Sequence, residues 1–191
     1  MVLAQPIEVT LVVATVLDEL GIPYLVGGSL ASSLHGVPRS TADVDMVADL
    51  HRQQVRPMVE RLQDEFYVDS DMIHDAITRR SSFNIIHLAS MYKVDIFTLP
   101  GDAFSAEILR RAEPRQLEGR TVMVASAEDI VVEKLRWYRL GDEVSDRQWT
   151  DVLGVLHRGG DRLDLAHMKR WAREVGVEDL LARALGTLDG D

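Results

Sequence analysis

The sequence predicts an α/β (α+β) fold: a small mixed β-sheet flanked by helices, with a C-terminal helical part. Three observations carry this. Short β-rich runs alternate with amphipathic stretches as far as about residue 126. From residue 127 onward every patterned stretch has helical spacing. The composition, 46% hydrophobic and 27% charged over 191 residues, supplies enough apolar surface for a core.

The elements follow in order. Residues 6–20 carry apolar positions at helical spacing, and Gly21 sits where a C-cap belongs. "YLVGG" reads as a short buried strand ending in a glycine turn, and "SLASSLHG" as a helix with Ser29 near its start and Gly36 at its end. "ADVDMVADL" is a strand in which acids alternate with Val44 and Met46. "RQQVRPMVERLQDEF" is an amphipathic helix, with Pro57 either in its middle or marking its first turn. "YVDS" reads as a strand and "MIHDAITRR" as a short helix. "SSFNIIHLASMYKVDIFTLP" gives two strands joined near Ala89 and Ser90, and "AFSAEILRRAE" a helix. "RQLEGRTVMVAS" is a hairpin turning at Glu118 and Gly119. Four helical stretches close the sequence: "AEDIVVEKLRWYRLG", "SDRQWTDVLGVLHRGG", "LDLAHMKRWAREVG" and "VEDLLARALG". The expected boundary lies near Ser126, giving a core over 1–126 and a helical region over 127–191. Ser126 is the expected cap, with Asp129 three residues on.

Charge and composition exclude several classes. With 21 basic and 31 acidic side chains the net charge is -10, which argues against broad binding to nucleic acid through its phosphates. Cysteine is absent, so there is no disulfide and no thiolate metal site. The longest apolar run, residues 11–17, is far short of the roughly 20 residues that span a bilayer. No basic, cleavable leader pattern opens the chain, so a cytoplasmic protein without membrane contact is the expectation. The six histidines show no paired spacing with a glutamate, which argues against zinc.

Two features carry chemistry. Asp43 and Asp45 are two apart in a strand, so both side chains leave the same face. Like charges that close raise each other's pKa and destabilise the fold unless neutralised. A divalent cation is the usual remedy, and Mg²⁺, or Mn²⁺ in its place, takes oxygen ligands together with substrate phosphates. Asp95, in the apolar strand "YKVDIFTL", offers a third carboxylate, and Lys93 should share its face. Lys93 is placed to meet a phosphate or to pair with an aspartate. The other feature is the turn. Gly27 and Gly28 let backbone amides approach an anion, the following helix N-terminus favours negative charge, and Ser29 adds a hydroxyl. A phosphate-cradling turn followed by paired acids is the layout of nucleotidyl transfer.

"GGS", then "DVD", then a later strand aspartate resembles the nucleotidyltransferase superfamily of DNA polymerase β-like folds, over roughly residues 24–99. The matching positions are Gly28, Ser29, Asp43, Asp45 and Asp95. The resemblance implies that an NTP, ATP among them, binds with its phosphates on Gly27, Gly28 and Ser29, with the metal on Asp43, Asp45 and Asp95. Asp95 is either third ligand or base. "RSTADVD" and "EKLRWYR…SDRQWTDV" are similar to the AbiEii-type nucleotidyltransferases, which include toxins of bacterial toxin–antitoxin pairs. Lys134, Asp146 and Asp151 match there. This likeness implies that Lys134 touches the nucleotide's phosphates, that Asp151 completes the site, and that an antitoxin is a partner.

Each residue has a plainer reading. Asp43 and Asp45 fit a polar edge strand, and Asp95 fits a partner for Lys93 or Arg39. Arg39 either pairs with the acids or steers a phosphate. Lys134 borders an apolar face, a snorkelling position. Trp137, Tyr138, Trp149 and Trp171 offer base stacking, or core packing at helical spacing. The expected acceptor is macromolecular, tRNA or another RNA end or a protein hydroxyl, with a small molecule of the antibiotic kind as the alternative. The rival from another class is a nucleotide-binding or protein-interaction module on the same fold that performs no transfer.

Overall fold

The β-rich runs pair into one mixed sheet. In chain order its strands are β1 (Tyr24–Val26), β2 (Asp43–Ala48), β3 (Phe66–Tyr67), β4 (Ser82–His87), β5 (Lys93–Thr98), β6 (Glu113–Leu117) and β7 (Arg120–Val124). The helices are α1 (Gln5–Glu19), α2 (Gly28–His35), α3 (Arg52–Leu62), α4 (Ser70–Arg79), α5 (Ala103–Arg110), α6 (Ala127–Leu140), α7 (Asp146–Gly159), α8 (Leu165–Glu174) and α9 (Glu178–Leu188). These come from a computed structural model that describes residues 5–188. No helix among the described residues is long and apolar enough to cross a membrane.

The chain divides into two units. One takes the residues through Gly27 together with Thr41–Val124; the other takes Gly28–Ser40 together with the residues from Ala125 on. The chain thus enters the second unit at Gly28, leaves it after Ser40 and returns to it at Ala125. That unit also takes in α2, which lies in the middle of the sheet-forming sequence.

In the first unit the strand order is β3-β4-β5-β2-β1-β7-β6. β2 runs parallel to β5 and β1 parallel to β7, while the other neighbours are antiparallel. Alternation in β2 and β5 decides their faces: Val44, Met46, Ala48, Val94 and Ile96 are fully buried, while the residues between them are half-buried. Helix α1 packs on β2 and β7, α4 packs on β4 and β5, and α3 packs on both helices. Val13, Leu17, Met58, Leu62 and Ile73 supply the helices' share of this core. The β6–β7 hairpin turns where expected. Glu118 at φ 46° and Gly119 at φ 79° give it two left-handed residues, the requirement of a tight turn matching strand twist.

One open alternative is decided and one local expectation is corrected. Pro57 lies inside α3, which begins at Arg52 after His51. The carbonyl that loses its helical donor belongs to exposed Gln53, where water can replace it. "YVDS" is only a strand at its start. β3 ends at Tyr67, and Asp69 instead caps α4, accepting from the amides of Asp71 at 2.8 Å and Met72 at 3.0 Å.

In the second unit α6 and α7 pack along each other, α2 lies against both, and α8 and α9 close the cluster. Its core holds Ile130, Val131, Leu135, Val152, Val155, Leu156, Met168 and Leu181. Ser126 caps α6, its hydroxyl accepting from the Asp129 amide at 3.2 Å. The Asp129 carboxylate, fully buried, meets His167 Nε2 of α8 at 2.7 Å.

Candidate functional site

In the first unit, strand pairing brings the charged residues together. β2 and β5 pair in parallel with Asp43 beside Lys93 and Asp45 beside Asp95. All four belong to the half-buried alternation of their strands, so they share one face. Asn84 of β4 lies beside Asp95 on the other side and is half-buried too. Thr41 orients the start of β2: its hydroxyl donates to Asp43 O at 2.8 Å and lies 3.3 Å from Asp43 Oδ1. Lys93 Nζ lies 2.7 Å from Asp95 Oδ2. That hydrogen bond raises the Lys93 pKa above its ordinary value. Partial burial opposes the rise, and the charges of Asp95, Asp43 and Asp45 add to it.

Three carboxylates on one face offer the hard oxygen donors that Mg²⁺ prefers, and in donor chemistry they fit such an ion. As the side chains stand, no group of three or more His, Asp or Glu among the described residues is arranged to hold a metal. The cation that sits on Asp95 is the Lys93 ammonium.

In the second unit a different set meets. Gly28, at φ 53°, takes a left-handed conformation that favours glycine and opens α2. Arg39 grips Asp151 through two parallel bonds of 2.9 Å, Nε to Oδ1 and Nη2 to Oδ2. Its Nη2 also donates to Ser29 Oγ at 2.6 Å. Lys134 Nζ lies 2.9 Å from Asp151 Oδ2 and donates to Gln148 Oε1 at 2.9 Å. Ser32 Oγ completes the set, 3.3 Å from Asp151 Oδ2. Burial alone pushes the Asp151 carboxyl up. The hydrogen bonds and charges of Arg39 and Lys134 outweigh it and hold the group below its ordinary value.

The sequence-predicted residues therefore fall into two sets. Asp43, Asp45, Asp95 and Lys93 come together in the sheet; Ser29, Arg39, Lys134 and Asp151 come together in the helical unit. Gly27 plays a different part from the one expected. Its amide donates to Asp45 O at 2.9 Å and extends the sheet. Lys134 is no snorkelling surface residue: its side chain is 4% exposed. Tyr138 and Trp149 stack on each other with ring centres 5.3 Å apart, and Arg183 lies 4.1 Å over Trp149. Trp171 is buried, with the Arg170 guanidinium over its ring. These three aromatics serve packing. Sequence reasoning missed Ser32, Gln148 and Asn84, whose only signal was register or helical phase relative to residues already chosen.

The fold is that of the nucleotidyltransferase superfamily. Among solved structures, the chain is similar to an antigenic nucleotidyltransferase-like protein from Paracoccidioides brasiliensis, at 20% identity and TM-score 0.57, covering 96% of this chain and 93% of that one. It is similar to ANT(2'')-Ia, solved in complex with adenylyl-2''-tobramycin, at 15% identity and TM-score 0.59, covering 95% and 98%. It is also similar to the lincosamide antibiotic adenylyltransferase LnuA, solved with lincomycin, at 12% identity and TM-score 0.51, covering 81% and 96%. No protein-family model and no curated protein matches the sequence.

Proposed function

We propose that this chain is a nucleotidyltransferase that moves an NMP from an NTP to a hydroxyl acceptor. The observation that carries the reading is the register of β2 and β5, which sets Asp45 beside Asp95 and Asp43 beside Lys93 on one half-buried face of this fold. Asp43, Asp45 and Asp95 are the residues that would hold Mg²⁺, which supplies charge neutralisation on phosphate oxygens. Gly28 and Ser29 take the outer phosphates at the start of α2. Arg39 holds the Ser29 hydroxyl in place, Asp151 holds Arg39, and Lys134 holds Asp151, so Asp151 and Lys134 act as positioning residues. Asp95 accepts the proton of the acceptor hydroxyl. The new oxygen–phosphorus bond forms at the α-phosphate, the bond to the β-phosphate's bridging oxygen breaks, and pyrophosphate leaves.

A small-molecule acceptor is favoured by the similarity, over nearly the full length of both chains, to ANT(2'')-Ia with its adenylyl-2''-tobramycin. The net charge of -10 also disfavours long RNA. The test supplies each NTP labelled at the α-phosphate, with Mg²⁺ or Mn²⁺, to three acceptor sets: hydroxyl-bearing antibiotics, tRNA, and cell-extract protein. Label is expected on a small molecule, and Asp43→Ala with Asp45→Ala should abolish it. Label on tRNA or protein replaces the acceptor and brings the antitoxin-controlled reading forward. Transfer that persists in the double variant overturns the roles of the acids. Tight NTP binding with no transfer to any set identifies a binding module.

A further inference from the structure

Three carboxylates within three strand positions would repel one another strongly if nothing on their face were positive. One cation on that face is Lys93. In register it is the partner of Asp43, and its ammonium lies 2.7 Å from Asp95 Oδ2. The Lys93 side chain is 44% exposed against 20% for Asp95, so the lysine approaches from the solvent side. A lysine presents one point charge on a flexible four-carbon stem and can leave a carboxylate by rotamer changes alone. An ammonium on Asp95 Oδ2 and a divalent ion on the same carboxylate repel each other and share its charge, so each weakens the hold of the other.

We propose that Lys93 is the built-in counter-ion of this acid face: it occupies Asp95 in the metal-free protein, competes with a divalent cation for that carboxylate, and so sets the cation affinity. The inference rests on the reading of Asp43, Asp45 and Asp95 as metal ligands. It adds that metal loading is an exchange of one cation for another. Affinity is lowered by the exchange, and the metal-free sheet is protected from its own charge.

The experiment titrates Mn²⁺ into the full chain and reads free Mn²⁺ by electron paramagnetic resonance, so no turnover is needed. Lys93→Gln should bind Mn²⁺ about tenfold more tightly than wild type, and Lys93→Arg should stay within about twofold of it. Without metal, Lys93→Gln should melt at a lower temperature, and Mn²⁺ should raise its melting point more than that of wild type. In the unmodified chain, the Lys93 ammonium ¹H–¹⁵N signal should shift on adding Mg²⁺, a readout that needs no variant. Suppose Asp45→Asn loses Mn²⁺ binding while Lys93→Gln binds no more tightly than wild type, or the Lys93 signal ignores bound Mg²⁺. Then Lys93 is no counter-ion, and the metal reading stands. If Asp45→Asn binds Mn²⁺ as wild type does, or wild type binds none, the metal reading falls and this inference falls with it.

Discussion

Asp151 decides what holds the second unit's charged residues in place. Its side chain is 6% exposed and that of Lys134 4%, so the pair is largely withdrawn from water. Removing one partner of such a pair leaves the other charge uncompensated, which costs far more than the pair is worth when intact. Asp151→Ala should therefore lower unfolding free energy by about 3–5 kcal/mol, measured by urea denaturation. Adding Lys134→Met should recover part of that loss, because the orphaned ammonium is then gone. The acid limb of the stability curve follows the same logic. The folded-state pKa of Asp151 lies below its ordinary value, so its contribution is present above the ordinary carboxylate range and is lost as pH falls through the folded pKa. Asp151→Asn should accordingly lose less stability than wild type below about pH 4. The sequence singled out Arg39, Lys134 and Asp151 one at a time. That they bind one another was not legible, because Arg39 and Asp151 stand 112 residues apart and nothing local records the meeting.

Elements were legible wherever one face of a strand or helix is covered. β2 and β5 show it best: alternation named the buried set, and the same alternation put the acids on the other face. Whether β5 lay beside β2, and in which register, depended on pairing energies spread over the sheet. Helix packing was legible only as apolar stripes. Gly36 looked like a simple helix end, yet it marks where α2 meets α7. A Cβ added there would lie 2.9 Å from Gly154 C and from Val155 N, and 3.0 Å from Ser32 O. All three are backbone atoms, which cannot rotate away, so relief requires the helices to separate. Gly36→Ala should cost about 1–3 kcal/mol in thermal or urea unfolding. Gly186 in α9 provides the contrast. Nothing lies within 4 Å of its added Cβ, so Gly186→Ala should be neutral or stabilising by up to about 1 kcal/mol. Equal losses at the two positions would show that α2 and α7 do not depend on close approach.

At the scale of the whole molecule, the change from mixed to helical pattern near residue 126 was plain, whereas the interruption of the sheet unit by Gly28–Ser40 was not. An apolar stripe on a short helix says that something covers it, not which of several later helices does. Leu30 and Ala31 of α2 are buried, and the helices packed against α2 are α6 and α7. This has a consequence for any attempt to isolate the sheet. A fragment over 1–126 keeps every strand and also α1, α3, α4 and α5, but it strips α2 of those two partners. Helices shorter than roughly 12–15 residues are marginal alone in water, and α2 has 8. In the fragment, amide exchange should therefore be fast through residues 28–36 while residues 43–48 and 93–98 stay protected as in the full chain. Arg39 would lose Asp151 at the same time, and with it the contact that steadies its hold on Ser29. Mass-resolved hydrogen exchange on the fragment and the full chain decides the point. Protection of α2 in both would mean that this helix, Ser29 included, does not depend on α6 and α7 for its order.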